Sequence, residues 1–301
     1  MVKQKTQIFQ GPVLVGLAAL LWATDGLVRY PATGSLDPTL IVFVEHVLAI
    51  LILGPWIALK YRQQLFSLNL KEWFAAIFCG GAGSALALLF FTASFKYINP
   101  SVSVLLQKLQ PMMVVVIAYF LLGERPSKKF YIWGGVALVA GIILSCPDLD
   151  FKFVRSGLDL HSLGIRYALG ASFIWAASTV SSKVLLKRTP PTLATFWRFF
   201  FGLISITLLL SLTHQSLRWE VFRPKGTFFF LAYLSLIPGL WAMLVYYSGL
   251  ARTPAIVTTF IELLYPILAI VLHTVFLHTP LQTTETIAGV VLLFAVTMLS
   301  L

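Results

Sequence analysis

Apolar residues run along this chain in long blocks, without the strict alternation of a half-buried strand or the narrow stripe of a surface helix. Ten blocks approach the roughly 20 residues that one bilayer crossing requires: about 12–30, 38–60, 72–97, 99–122, 128–146, 162–186, 190–213, 226–251, 254–277 and 281–300. The breaks carry turn chemistry at Tyr30-Pro-Ala-Thr-Gly34, Asn99-Pro100, Pro126, Thr189-Pro-Pro191, Thr253-Pro254 and Thr279-Pro280. Proline fits a first helical turn, where its missing N–H has no partner to lose, but not a helix interior. The pattern predicts an all-α integral membrane protein with ten transmembrane helices.

The blocks also repeat. Trp22-Ala23 matches Trp175-Ala176 and Pro38-Thr39-Leu40 matches Pro191-Thr192-Leu193, both 153 residues on. Pro100 with Pro254, and Pro126 with Pro280, follow at 154, and Pro111 with Pro266 at 155, while Gly135 and Gly289 extend the match to the last helix of each half. Each half, 12–146 and 162–300, then holds five helices, with 147–161 as a linker. Because five is odd, the second half starts on the opposite side of the membrane, so the halves form an inverted 5+5 repeat of the kind built into secondary transporters.

Composition agrees: 58% of the 301 residues are hydrophobic and 11% charged, with a mean hydropathy of +0.89, against about 25% charged in soluble domains. The excess of 22 Lys+Arg over 11 Asp+Glu lies mostly between apolar blocks and reads as a topology signal, not as a nucleic-acid surface. With the N-terminus inside, twelve basic residues fall on the inner side and eight, Arg29 among them, on the outer. Both termini are therefore expected in the cytoplasm. Cys79 and Cys146 lack CxxC spacing, so neither a metal site nor a disulfide framework is indicated, and Lys3 and Lys5 precede a first apolar block expected to be retained as a helix.

Ionisable residues at membrane depth are expensive and normally face a cavity or a partner. Asp25, Glu45, His46, Lys108, Arg198, Glu262 and His273 qualify. Asp25 shares a helix face with Trp22 and could meet a substrate amine, carry a proton or be a solvated helix end. Glu45 and Arg198 are repeat mates, expected either to face each other across a shared cavity or to form a structural ion pair. His46 points away from Glu45 and reads as an interhelical hydrogen-bond partner. Gln107 and Glu262 each precede a proline by four residues, a turn from an expected kink. Tyr265 and Thr258 share the face of Glu262, and Lys108 is available to pair with Glu45 or Asp25.

Trp22 and Trp175 lie well inside their helices and, with Trp241, Tyr246 and Tyr247, could form a stacking or cation-binding wall, core packing being the alternative. The run Gly80-Gly-Ala-Gly-Ser84 has no strand before it and no Lys-Ser/Thr ending, so it reads as close helix packing and not a phosphate loop.

The segment Leu105-Leu-Gln-Lys-Leu-Gln-Pro111, followed by Gly123-Glu-Arg125, Trp133-Gly-Gly135 and Gly141, resembles the end of an EamA domain of the drug/metabolite transporter superfamily. Phe260-Ile-Glu-Leu-Leu-Tyr-Pro266 and Gly289 echo it, so the whole chain resembles two tandem EamA units. The resemblance implies a plasma-membrane or inner-membrane location and alternating-access movement of small metabolites, often by exporters of amino acids or related compounds. It commonly brings an arginine in the second helix of each unit. Arg198 fits; Glu45 stands in its place in the first.

The expected activity is secondary transport of a small amphipathic solute without an organic cofactor, driven by the solute gradient or a coupled proton. Glu262, Glu45 and Asp25 are the candidate proton carriers. No Walker motif is present for ATP hydrolysis. A passive channel could share the same lining, and an intramembrane enzyme would have to build on a pair such as Ser84 with His273.

Overall fold

The computed structural model describes residues 2–122, 128–146, 160–213, 225–253, 258 and 261–300. Pro126, Pro254, the Gly123-Glu-Arg125 segment and all but the end of the 147–161 linker lie outside these residues. Among the described residues the chain is all-helical, without strands. The first half contains α1 (Val2–Ala23), α2 (Asp25–Thr33), α3 (Pro38–Lys60), α4 (Leu70–Gly80), α5 (Ala87–Ser94), α6 (Pro100–Leu106), α7 (Gln110–Leu122) and α8 (Lys128–Leu144). The second contains α9 (Leu160–Leu186), α10 (Pro191–Leu212), α11 (Lys225–Leu234), α12 (Ala242–Leu250), α13 (Leu264–Phe276) and α14 (Thr283–Ser300).

Among the described residues seven helical runs are long and apolar enough to cross a membrane: Gln10–Thr33, Pro38–Lys60, Leu70–Ser94, Pro100–Ile117, Leu160–Leu186, Pro191–Leu212 and Gly226–Leu250. Leu264–Phe276 and Thr283–Met298 are shorter apolar helices. The outer surface carries large exposed apolar side chains such as Leu59, Phe66, Phe74, Leu212 and Phe229. That is how a chain solvated by lipid presents itself, with its backbone groups satisfied inside helices.

Local sequence explains the helix starts. Asp37 and Asn99 cap α3 and α6 by accepting from the backbone N–H of Thr39 and Ser101, each at 2.8 Å, with a proline next in line. Asn69 and Glu72 form a reciprocal capping box on α4. Pro31 departs from its expected role: the helix continues through it to Thr33, which places Arg29 inside the fold and not in an outer loop.

Several helices are interrupted at the depth of the expected site. A π-helical turn spans Gly81–Leu86 between α4 and α5, and another spans Ser235–Trp241 between α11 and α12, starting 154 residues later in sequence. A 3-10 turn at Gln107–Leu109 separates α6 from α7, and its counterpart, Glu262-Leu263, is a turn just before α13. Wide and tight turns of this kind leave backbone carbonyls available to side chains.

The halves pack closely on each other. On α1 and α12, a Cβ added at Gly249 would lie 2.9 Å from the Gly11 carbonyl oxygen, so glycine permits this crossing. The last helices of the two halves, α8 and α14, join through Ala137, Ala140, Leu144, Ala288, Leu292 and Ala295, with Trp133 edge-on to Phe294 at 5.5 Å.

Candidate functional site

A cavity of about 180 Å³ lies between the halves. All ten residues singled out from the sequence line it: Trp22, Asp25, Glu45, Gln107, Lys108, Trp175, Arg198, Tyr246, Glu262 and Tyr265. The interrupted helices supply Gly83, Ser84, Gln107, Lys108, Pro238, Gly239 and Glu262. The broken segments therefore carry much of its polar lining.

An ion triad forms part of the cavity lining. Arg29 is one turn beyond Asp25 on α2 and binds it side-on, Nε to Oδ2 at 2.6 Å and Nη2 to Oδ1 at 2.7 Å. The same guanidinium donates from Nη2 to Glu45 Oε1 at 2.6 Å, from Nη1 to Glu45 Oε2 at 3.2 Å and from Nη1 to Thr92 Oγ1 at 2.9 Å. All five N–H groups of the arginine fork are thus used, and each carboxylate oxygen has a donor. The three side chains are buried. Asp25 is therefore an ion-pair member and not a solvated helix end, and Glu45 is paired with Arg29 and not with Arg198.

Repeat symmetry placed Glu45 and Arg198 at equivalent positions without bringing them together. His46 packs on Phe199 with ring centroids 5.4 Å apart, and Val42 clusters with Ile206, so α3 and α10 run antiparallel. At 1.5 Å rise per residue, Arg198 is displaced from the level of Glu45 by roughly a turn, about 5 Å. Its guanidinium is held by neutral acceptors instead. Nη1 donates to Ser178 Oγ at 3.1 Å and Tyr247 Oη at 3.3 Å, and Nη2 donates to the Gly83 carbonyl at 2.8 Å. Trp175 Nε1 donates to the same carbonyl at 2.9 Å, which the π turn leaves available. Gly83 is required there, because a Cβ would overlap Ser178 Oγ.

Lys108 pairs with neither Glu45 nor Asp25. Its ammonium donates to the backbone carbonyl of Glu262 at 3.4 Å and lies 5.0 Å from the centre of the Tyr265 ring. The Glu262 carboxylate interacts with the Tyr246 hydroxyl and with the charge of Lys108.

The aromatic wall bridges the halves. Trp22 packs on Tyr246 at 4.9 Å and Phe91 on Trp175 at 5.5 Å. Trp241 is 54% exposed on the outer surface and takes no part in it. His46 behaves as read, bonding across helices to Ser84 Oγ at 3.0 Å. His273 bonds to Ser101 Oγ at 3.1 Å, so Ser84 and His273 do not assemble as a nucleophile and base. The glycine run does serve close packing: a Cβ at Gly80 would lie 2.7 Å from the Arg198 carbonyl oxygen.

Sequence reasoning missed Arg29, which was counted as an outer-face charge; its four-residue spacing from Asp25 was the available signal.

Two stretches of this chain, residues 10–146 and 162–301, match the model of the EamA-like transporter family. The chain belongs to the EamA-like transporter family. It is 28% identical to the riboflavin transporter ImpX of Fusobacterium nucleatum, over 87% of this chain and 88% of that protein. An uncharacterized inner membrane transporter of Escherichia coli strain K12, YhbE, is 24% identical over 61% of this chain and 57% of its own length. A solved crystal structure aligns over 96% of this chain and 95% of its own with a TM-score of 0.64 at 19% identity, the same fold in a distant sequence. This chain is thus a membrane-embedded, multi-pass member of a transporter family.

Proposed function

We propose that the protein is a secondary transporter, not an enzyme, that moves a small amphipathic metabolite by alternating access, as an exporter. The observation carrying this reading is the cavity itself, which both halves line with three carboxylates, three cations and paired aromatics. Ten crossings in an inverted 5+5 repeat, 12–146 and 162–300 about a 147–161 linker, with both termini cytoplasmic in the plasma or inner membrane, complete the account. The 154-residue spacing of the two π turns supports the repeat. Discontinuous helices around a cavity are what such transporters use to bind at the midplane.

The substrate belongs among amino acids and related amphipathic solutes, and the relationship to a riboflavin transporter puts riboflavin on the same panel. Glu262 is the leading proton carrier, because it is the cavity carboxylate outside the arginine triad, with Asp25 and Glu45 beside it as a pair holding one more negative charge than Arg29 neutralises. A passive pore is the competing reading and would give single-channel currents. The test is flux into proteoliposomes of labelled riboflavin, amino acids and nucleosides with and without an imposed pH gradient. Saturable flux of one class that follows the gradient supports a proton-coupled carrier; saturable flux indifferent to it removes the proton, and conductance without saturation removes the carrier.

A further inference from the structure

Counting donors and acceptors around the cavity indicates what the solute must bring. At the triad nothing is left over among the donors, and every carboxylate oxygen of Asp25 and Glu45 is occupied by Arg29. Elsewhere three cavity side chains carry buried donors that are not fully matched. Arg198 is 6% exposed and carries a buried Nε–H without a partner, and no carboxylate lies within ion-pair distance of it among the described residues. Lys108, 9% exposed, has one long bond to a carbonyl for three N–H groups. The buried Gln107 amide nitrogen is also unpartnered. Arginine and lysine cannot accept hydrogen bonds, so only an acceptor can meet this deficit. Glu262 offsets Lys108 and the extra negative charge of the triad offsets Arg198 at a distance, so what Arg198 lacks is an acceptor in contact with its Nε–H.

From this we propose that the transported solute is a compact aromatic ring bearing a carboxylate or carbonyl group, anchored by Arg198, with Lys108 and Gln107 available to its other acceptors. The aromatic pairs Trp22–Tyr246 and Phe91–Trp175 flank the space the ring would fill. At about 180 Å³ the cavity exceeds the ~150 Å³ that accommodates a benzene ring in a protein core. An aromatic amine without an acceptor leaves these buried donors unmatched even where Glu262 meets its ammonium, and a site built to hydrogen-bond discriminates strongly against a partner lacking the group. This inference rests on the carrier reading and narrows its substrate class.

The test is equilibrium dialysis of the purified full-length protein in lipid nanodiscs against three probes sharing one ring: indole-3-acetate, indole-3-acetamide and tryptamine. The expected result is retention of the acetate and the acetamide at least tenfold above tryptamine. Arg198→Gln should bring the acetate down to the level of tryptamine. Because Arg198 also ties Gly83 to Tyr247, Gln107→Leu is tested beside it, and a severalfold loss for the acetamide is expected in a variant that keeps the wild-type gel-filtration profile. Tryptamine binding as tightly as the acetate, or no retention of any probe, overturns the substrate assignment. The carrier reading is decided separately by the flux panel, since saturable flux of another solute class would survive that failure.

Discussion

Replacing Arg29 with methionine keeps most of the apolar stem and removes the guanidinium that five hydrogen bonds hold between α2, α3 and α5. Both carboxylates, Asp25 and Glu45, are then left buried without a counter-ion. Removing one partner of a buried ion pair destabilises by about 3–5 kcal/mol, mostly through the stranded charge and not through the bond itself. Denaturant unfolding of the protein in detergent micelles, followed by tryptophan fluorescence, is the assay. Arg29→Met should lower the unfolding free energy by that amount. The triple variant with Asp25→Asn and Glu45→Gln should recover a large part of it, since neutral amides replace stranded charges. Partners in one network couple by about 0.5–3 kcal/mol. A wild-type stability for Arg29→Met, or losses that simply add across the three sites, would refute the closed triad.

Glu262→Gln should abolish gradient-driven flux while leaving expression and gel-filtration behaviour normal; unchanged coupling removes Glu262 from the mechanism. Gly83→Ala places a methyl against Ser178 and displaces the carbonyl shared by Arg198 and Trp175, with an expected destabilisation of about 1–3 kcal/mol in the same unfolding assay. Ser84→Ala removes one interhelical hydrogen bond to His46 and should cost about 1 kcal/mol with little change in flux, because the pair is structural. Trp22→Leu should forfeit about 0.5–1.5 kcal/mol of ring contact with Tyr246 and raise the apparent KM for flux, and an unaltered KM would separate this wall from the substrate.

The expense of charge in a lipid environment made the cavity legible before any coordinates: Asp25, Glu45, Lys108, Arg198 and Glu262 stood out because apolar blocks offer them no other purpose. What the linear pattern did not carry was pairing. Glu45 and Arg198 were matched by position in the repeat, but symmetry fixes equivalent environments, not contact, and the antiparallel packing of α3 on α10 offsets them. Arg29 was hidden by its place at the edge of an apolar block beside Pro31, where a helix end was expected and the helix runs on. The π turns were invisible as such. Gly80–Ser84 read correctly as a close-packing run, yet nothing local distinguishes a wide turn from an α-helical one, and Pro238 carried no flag until both turns were seen at matching places. Trp241 misled because an aromatic inside an apolar block serves a lipid-facing surface as readily as a cavity.

The central claim is that the lined cavity works as a carrier that presents its solute to one side at a time. The most direct measurement is counterflow in proteoliposomes: entry of labelled solute into vesicles preloaded with the unlabelled compound, compared with empty vesicles. The account predicts that preloading accelerates entry in a saturable manner. Entry indifferent to preloading and linear in concentration, accompanied by ionic or solute conductance, would contradict it.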